Sequence, residues 1–500
     1  MAEKQMKKLA KDTAIYGVSS ILGKFMNWML TPIYTFYLAT TADNGIVTNL
    51  YAWTSILLVI LTYGMETGYF RFANKHKEDA PKVYGNTLIS VGVTSILFAV
   101  LCLYFSIPIA NFLQYSTHPE YISMLGIIVA LDAFSSIPFA YLRFANRPIK
   151  FATLKFVYIL LNIFFNLFFL IACPWLMKVA PSLVNWFFDP NYGVGYVLVS
   201  NFIATIIQTL ILMRYVFDAE FTLDIKLLKS ILRYSLPLLI LGIAGIANQN
   251  LDKIIFPYLR PGDQGKAELG IYGATSKLSM VMMMFTQAFR YAYEPFIFSQ
   301  SKDKNSLTVY ADAMKFFIIF SLVIFLGMVF YIDIFKYVFQ KNFWVGFNIL
   351  PLILMSFVFQ GIYFNLSLWY KLTDRTIFGA WFSVLGTVII VMGNVLLVPT
   401  FSYVGAAWAA FTCYFVIMIV SYYFGQKYMP VKYDLKSIGL YVVVALALFA
   451  ASFLVQTQYP VVNLAYKTLL FTIYITLMIK RDFPLRSIPI VNKFFKESTK

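Results

Sequence analysis

The chain has 500 residues, of which 60% are hydrophobic and only 13% are charged, and its mean hydropathy is +0.72. These values exclude an ordinary soluble globular protein and indicate an integral membrane protein. The net charge of +17 would by itself also suit a nucleic-acid-binding protein. The positions of the basic residues decide whether nucleic-acid binding or membrane topology explains the charge.

Apolar runs of about 20 residues, each long enough to cross the hydrocarbon core of a bilayer, recur from Thr13 almost to the C-terminus. We predict an all-α polytopic membrane protein with about fourteen transmembrane helices, because the strands of an outer-membrane barrel would be shorter and would alternate in hydropathy. In chain order the predicted spans are 13–38, 44–69, 84–108, 121–143, 150–174, 193–217, 230–258, 269–297, 309–333, 348–370, 377–398, 403–424, 435–455 and 461–479.

Basic residues are concentrated in the segments that face the cytoplasm if the N-terminus is cytoplasmic. The outer loops hold only Lys178, Arg260, Lys266, Lys336 and Lys341. This positive-inside bias predicts a multi-pass membrane protein with both termini in the cytoplasm, and it accounts for the net charge without nucleic acid. We expect no cleavable signal peptide, because the short N-terminal segment is basic and leads into a full-length span. We expect no disulfide framework, because the few cysteines lie within or at the ends of spans, and no metal site, because the histidines are far apart.

A constant offset of 225 residues pairs identical residues, among them Gly17 with Gly242, Pro32 with Pro257, and Gly45 with Gly270. The first and seventh spans both begin on the cytoplasmic side, so the repeat is parallel. We therefore predict three parts, namely an N-terminal six-helix lobe (1–217), a C-terminal six-helix lobe (218–424), and two additional helices with a basic tail (425–500). The loops are too short to contain a catalytic domain.

The first span places a full positive charge, Lys24, about 17 Å from its start. The residues Gly17, Ser20, Lys24, Asn27 and Thr31 are spaced 3, 4, 3 and 4 apart, which puts them on one face of a helix. A charge at this depth is costly in lipid and too deep for easy snorkelling, so we expect the polar stripe to face a water-filled cavity.

The seventh span repeats this pattern, with Gln249 aligned to Lys24 and Asp252 aligned to Asn27. In the eighth span Gln287, Arg290 and Glu294 fall on one face. Lys277 lies roughly 140° around that helix from Arg290, so we do not expect the two in one site.

The other charges have simpler alternatives. Arg290 and Glu294 could neutralise each other, Glu66 could pair with Arg71, and Lys253 is expected to extend to the outer surface. Asp132, near the middle of the fourth span, is either a protonated contact between helices or a ligand for a coupling ion. The candidates for coupling to H⁺ or Na⁺ are Asp132, Asp252, Glu66 and Glu294.

Two segments resemble a known family. NQNLDKIIFPYLRPGDQGKAELGIYGATSKLSMVMMMFTQAFRYAYEPFIFSQ (248–300) is similar to the seventh and eighth helices of bacterial oligosaccharide flippases, the Wzx-like polysaccharide biosynthesis proteins of the MATE/MOP superfamily. KLAKDTAIYGVSSILGKFMNWMLTPIYTFYL (8–38) resembles the opening helix of the same family.

The resemblance implies two lobes around a central cavity that opens alternately to each side, and no cofactor. The implied substrate is a polyprenyl-diphosphate-linked glycan in the bilayer, used for O-antigen, capsule or exopolysaccharide, with a polymerase and other assembly proteins as partners. In related peptidoglycan-precursor flippases, basic residues of the first and eighth helices face the cavity. Lys24 and Arg290 fit these positions, and Ser20, Asn27, Gln249 and Gln287 are expected beside them.

Three rivals are distinguished by sequence. A MATE-type cation-coupled drug or metabolite antiporter shares the fold but calls for an acidic cavity. A membrane glycosyltransferase, polymerase or ligase needs sizeable outer loops with catalytic groups. A signalling or scaffolding protein predicts no aligned polar stripes on paired helices.

Overall fold

The computed structural model describes residues 21–26, 28–75, 77–300 and 306–482. Within these ranges every regular element is a helix, as predicted for an all-α membrane protein. The helices of the first half are α1 (Leu30–Tyr37), α2 (Thr41–Thr62), α3 (Met65–Lys75), α4 (Ala80–Tyr104), α5 (Ser106–Phe112), α6 (Pro119–Phe144), α7 (Pro148–Leu167), α8 (Cys173–Val179) and α9 (Val194–Val216). A π-helical turn, Phe168–Ala172, joins α7 to α8.

The helices of the second half begin with α10 (Ile225–Leu259), α11 (Asp263–Leu278), α12 (Met280–Gln300), α13 (Ser306–Phe330), α14 (Ile332–Phe335), α15 (Leu350–Leu366) and α16 (Leu368–Leu372). They end with α17 (Ile377–Tyr428), α18 (Leu435–Ala451) and α19 (Pro460–Arg481). Short 3₁₀ helices occur at Pro181–Leu183, Lys336–Val338 and Lys341–Ile349.

Ten helical segments of the described residues are long and apolar enough to cross a membrane. The other predicted spans differ for identifiable reasons. The first lies partly outside the described residues, and the eighth is divided at Ser279 into α11 and α12. The eleventh and twelfth are the two parts of α17, which meet at a kink at Ser402 as predicted, and the thirteenth, α18, has 17 residues.

The bends follow from local backbone chemistry. Tyr63 and Gly64 both have positive φ, at 32° and 72°, and this turn separates α2 from α3. Ser402 has φ 52° and ψ −136°, a region that residues with a Cβ rarely adopt. Beside this bend, Arg260 donates two hydrogen bonds to the carboxylate of Glu268, and its Nη1 donates a third to the carbonyl of Pro399 at 3.2 Å.

The described residues up to Lys277 pack with Thr376–Cys413 as one compact unit. Its core includes fully buried Tyr69 and Tyr84, and the ring of Tyr84 stacks on Tyr141 with centroids 4.6 Å apart. Stacked and edge-on aromatic pairs of this kind add to the stability gained from burial. The compact unit is defined by contacts between residues and does not test the predicted division of the chain into three parts, which stays a prediction.

The glycines of the repeat touch each other within this unit. A Cβ on Gly45, in α2, would overlap the carbonyl of Lys266, and a Cβ on Gly270, in α11, would overlap the carbonyl of Thr41. Thr41 and Lys266 are related by the same offset of 225 residues as Gly45 and Gly270. Reciprocal contact between equivalent residues is what an approximate two-fold axis produces, so the contact supports the internal repeat.

The second compact unit comprises Leu278–Arg375 and the described residues from Tyr414 onward. Here α13 packs against the last two helices, which are held by charges at both ends. Asp482 accepts hydrogen bonds from Lys315 and from Tyr441, each at 2.7 Å. At the opposite end of α19, Asp333 accepts hydrogen bonds from Lys467 and Lys336, each at 2.8 Å.

Candidate functional site

The eighth transmembrane segment breaks at the point where the first helix passes it. The indole Nε1 of Trp28 donates a hydrogen bond to the carbonyl of Lys277 at 2.8 Å. In an unbroken helix that carbonyl would be bonded within the helix, but α11 ends one residue later and α12 begins after Ser279. Broken helices at membrane depth line cavities or binding sites in transporters, because their end groups need polar partners.

Two lysines are associated with this break. Lys277 lies in the last turn of α11 with an exposed side chain, and Lys24 precedes Trp28 by one helical turn on the same face. The helix that carries Lys24 therefore contacts the helix that carries Lys277 through the indole of Trp28. Of the polar stripe predicted around Lys24, Ser20 and Asn27 lie outside the described residues, and Thr31 is buried.

Sequence reasoning set Lys277 aside because of its angle to Arg290 on a continuous helix. The structure removes that argument, because Ser279 separates the two residues onto different half-helices. The available signal was the polar, short-residue stretch Thr275–Ser279, which interrupts the apolar run. The predicted angle between Lys277 and Arg290 holds only if the helix between them is regular.

The polar residues of the seventh helix form a closed network. Asp252 is 3% exposed and accepts hydrogen bonds from Tyr272 at 2.7 Å and from Lys253 at 3.0 Å. Lys253 also donates to the carbonyl of Gln249 at 2.9 Å. Lys253 thus turns inward to Asp252, and the expectation that it extends to the outer surface is corrected. A neutralised carboxylate attracts a cation less strongly than an isolated one.

A second contact ties the same helix to α17. The amide of Asn248 donates to the carbonyl of Ser383 at 3.2 Å, and its oxygen accepts a hydrogen bond from Thr387 at 2.9 Å. The sequence did not single out these residues. They lie far apart in the chain, and neither amides nor hydroxyls are rare enough in membrane helices to mark a site.

Asp132 lies in the middle of α6 among polar side chains of neighbouring helices. Lys155 and Tyr158 of α7 and Tyr51 of α2 are within electrostatic range of its carboxylate. Tyr158 donates a hydrogen bond to Asn201 at 2.7 Å, and Asn201 donates to Tyr51 at 3.4 Å. The two interpretations of Asp132, a contact between helices or an ion ligand, both stay open.

Glu66 has a different partner from the one considered. Its carboxylate forms an ion pair with Arg143 of α6, and the guanidinium of Arg143 also lies over the ring of Phe70 at 5.0 Å. The pair links two helices of the first half, so Glu66 has a structural role whether or not it also binds an ion.

In the second compact unit the guanidinium of Arg290 lies 4.7 Å from the ring centroid of Phe364. Gln287 donates a hydrogen bond to the hydroxyl of Tyr291 at 3.3 Å. The side chain of Glu294 lies outside the described residues, so its predicted pairing with Arg290 stays a prediction. A guanidinium over an aromatic ring forms a cation–π contact.

Groups of three metal-binding side chains do not occur in the part of the chain that the structure describes. Cys102, Cys173 and Cys413 are buried and free.

A family model described as "Polysaccharide biosynthesis protein" matches residues 9–300, which is more than half of the chain. The chain belongs to this polysaccharide biosynthesis family. The sequence-based assignment is therefore confirmed at the level of the family. No curated protein matches the chain.

Solved structures agree on the fold of this family member. Lipid II flippase MurJ in an inward closed conformation is 12% identical and has a TM-score of 0.72, over 93% of this chain and 99% of that one. An inward-facing multidrug resistance MATE transporter of the MOP superfamily is 14% identical with a TM-score of 0.65, over 81% and 94%. A MOP superfamily transporter from Pyrococcus furiosus, described as having a binding pocket of reverse polarity, is 14% identical with a TM-score of 0.54, over 84% and 95%.

The predicted fold, with its MATE/MOP-like architecture, is confirmed by these likenesses. The solved structures that share this fold are those of a flippase and of transporters.

Proposed function

We propose that the protein is a flippase that moves a polyprenyl-diphosphate-linked oligosaccharide from the cytoplasmic to the outer leaflet of the bacterial inner membrane by alternating access. The cargo would serve the assembly of O-antigen, capsule or exopolysaccharide. The observation that carries the proposal is the hydrogen bond from Trp28, one helical turn after Lys24, to the carbonyl of Lys277 beside the break of the eighth helix.

The chemistry of the cargo matches this arrangement. A diphosphate needs cations and hydrogen-bond donors when it leaves bulk water, and lysines meet phosphate as compact point charges. The prenyl tail can stay in the bilayer while the head group crosses. With a negative cytoplasm, outward movement of anionic charge is favoured by about 2.3 kcal/mol per charge for every 100 mV.

The alternative function is that of a MATE-type antiporter of cationic compounds, and the likeness to a multidrug transporter supports this alternative. A cationic substrate would need uncompensated carboxylates. Asp252, the buried carboxylate of the seventh helix, is already bonded to Lys253, which favours the anionic cargo.

Further parts of the proposal rest on the family and on charge distribution. The termini would face the cytoplasm, a polymerase and other assembly proteins would receive the cargo, and Arg290, Gln249 and Gln287 would complete the polar surroundings of the head group. Asp132, Asp252, Glu66 and Glu294 are the candidate carboxylates for H⁺ or Na⁺ coupling.

The test uses right-side-out vesicles from cells that lack their own copy of the gene and carry the tested variant. The lipid-linked glycan of those cells becomes accessible to an impermeant lectin only after flipping. We expect the double variant Lys24→Ala, Lys277→Ala to block lectin binding at normal protein levels, and Lys178→Ala, which removes an exposed lysine elsewhere, to leave it unchanged.

Normal lectin binding in the double variant would overturn the proposed role of the two lysines. Efflux of a cationic dye such as ethidium that depends on the chain, with glycan flipping independent of it, would instead favour the antiporter.

A further inference from the structure

The ammonium group of Lys253 is surrounded by oxygen atoms of its own helix. Its Nζ donates to both carboxylate oxygens of Asp252, each at 3.0 Å, and to the backbone carbonyl of Gln249 at 2.9 Å. The ring centroid of Tyr272 lies 5.4 Å from the same Nζ, and the Tyr272 hydroxyl donates to Asp252 at 2.7 Å. An ammonium has three protons, so each of them has an acceptor on α10.

A second ammonium group, that of Lys277, lies within electrostatic range of Lys253. The Cα–Cβ bonds of a helix tilt toward its N-terminus, and α10 and α11 are consecutive helices that run in opposite directions. Lys253 follows this rule, because its Nζ meets Gln249 one turn earlier in α10. Lys277 lies five residues beyond Tyr272 in α11, so the same rule directs its side chain back toward Tyr272 and Lys253.

The carboxylate and the ammonium of this group differ in exposure. The side chain of Asp252 is 4% exposed and that of Lys253 is 18% exposed, so the carboxylate is enclosed while the flexible lysine stem can carry its charge outward. Together Lys253, Lys277 and Asp252 carry one net positive charge. Repulsion between the two ammonium groups opposes the attraction of Lys253 for Asp252.

We propose that Lys253 is a mobile cation of the transport cycle. Asp252 holds its ammonium while the site is empty, and the ammonium transfers to the diphosphate of the cargo when the head group reaches Lys277. The inference rests on the proposed function. A diphosphate carries more than one negative charge, so it competes with a single carboxylate for the ammonium. Asp252 recaptures Lys253 when the head group leaves, and this competition favours release.

The first experiment measures binding of farnesyl diphosphate, a short prenyl diphosphate, to the purified full chain by isothermal titration calorimetry. We expect Lys253→Met to weaken binding about tenfold, which is the loss of one charge-assisted hydrogen bond. We expect Asp252→Asn to tighten binding about fivefold, because the ammonium no longer has to leave a carboxylate. The two changes therefore act in opposite directions, although they remove the two members of one ion pair.

The matched controls come from Lys467 and Asp333, an ion pair of the second compact unit whose lysine is also 18% exposed. Lys467→Met and Asp333→Asn should leave the affinity unchanged. Weaker binding by Asp252→Asn, or unaltered affinity in Lys253→Met, would overturn the mobile cation while the proposed cargo stands. If the unaltered chain does not bind farnesyl diphosphate, the proposed cargo is contradicted and the inference falls with it.

The second experiment follows flipping by lectin accessibility in right-side-out vesicles. We expect Asp252→Asn to flip the glycan more slowly although it binds farnesyl diphosphate more tightly, because no carboxylate draws Lys253 away from the departing head group. A structural defect would instead lower binding and flipping together, and that result would overturn the proposal.

If Asp252→Asn does not accumulate in the membrane, Tyr272→Phe provides the test with a smaller change. It removes the hydrogen bond from the hydroxyl to Asp252, so the carboxylate should hold Lys253 more strongly. We expect this variant to bind farnesyl diphosphate about threefold more weakly. Unchanged or tighter binding would contradict the proposed competition.

Discussion

The pattern of the amino-acid sequence indicates Lys24 as a candidate site residue but does not indicate Lys277. Lys24 was predicted because it is a deep charge within a regular polar stripe. Lys277 is not among the predicted site residues, because its position relative to other residues depends on a helix break that a periodic pattern does not show. Lys253 was misjudged for a related reason, since its acidic partner is the adjacent residue Asp252, and sequence spacing suggests that neighbours in a helix point apart.

Arg290 provides a prediction at a single side chain. We expect Arg290→Lys to retain more glycan flipping than Arg290→Gln, because a phosphate contact depends first on charge. Lysine loses the planar stacking on Phe364, so it should remain below arginine. Lectin accessibility in right-side-out vesicles measures the difference.

Equal flipping by the lysine and glutamine variants would reject a phosphate contact for Arg290. The variant Phe364→Leu serves as a control for stacking alone, since it removes the aromatic face and keeps the guanidinium.

The last two helices depend on ionic contacts that the apolar pattern did not indicate. Lys315 and Asp482 form an ion pair whose side chains are 14% and 11% exposed, between α13 and the end of α19. Loss of one member of a buried pair leaves the other charge uncompensated, at a cost of roughly 3–5 kcal/mol. We expect Lys315→Met to lower the melting temperature in detergent, and the exposed Lys436→Met to leave it unchanged.

The same contact gives a pH dependence. Burial alone would raise the pKa of Asp482, but hydrogen bonds from Lys315 and Tyr441 outweigh it and hold the pKa below its usual value. A carboxyl with a lowered pKa in the folded state contributes stability that is present above its unfolded pKa, about 3.9, and is lost as the pH falls through the folded value.

The difference in melting temperature between the unaltered chain and Asp482→Asn should therefore be constant from neutral pH down to about pH 5 and shrink below about pH 4. A difference that already shrinks between pH 8 and pH 6 would contradict this account.

At the level of helices, the sequence predicted the segments well and their ends less well. Length and hydropathy indicate a span directly, so the ten long apolar helical segments of the described ranges correspond to predicted spans, with two of these spans in Ile377–Tyr428. The division at Ser279 and the kink at Ser402 are accompanied by tertiary contacts, namely the indole of Trp28 in the first case and Arg260 at Pro399 in the second. No local pattern encodes those partners.

The overall topology was predicted from charge, and the repeat from a modest set of identities. The reciprocal contacts of Gly45 and Gly270 add physical support to the repeat, because residues at equal offsets meet each other. The charge bias itself is tested by accessibility.

We expect Asn191→Cys, at an exposed residue of a predicted outer loop, to react with impermeant maleimide in intact cells. We expect Lys432→Cys, at an exposed residue of a predicted inner segment, to react only after the cells are opened. Labelling of Lys432→Cys in intact cells would contradict the predicted orientation.

The bend at Ser402 carries a cost that persists through every transport cycle. A non-glycine residue in this backbone region costs of order 1–3 kcal/mol, whereas glycine adopts it freely. A marginally stable protein tolerates such a residue only while other contacts compensate for its cost. Here the compensating contact is the hydrogen bond from Arg260 to the carbonyl of Pro399. We therefore expect Ser402→Gly to stabilise the folded protein. The gain in stability should be larger when the hydrogen bond of Arg260 is also removed.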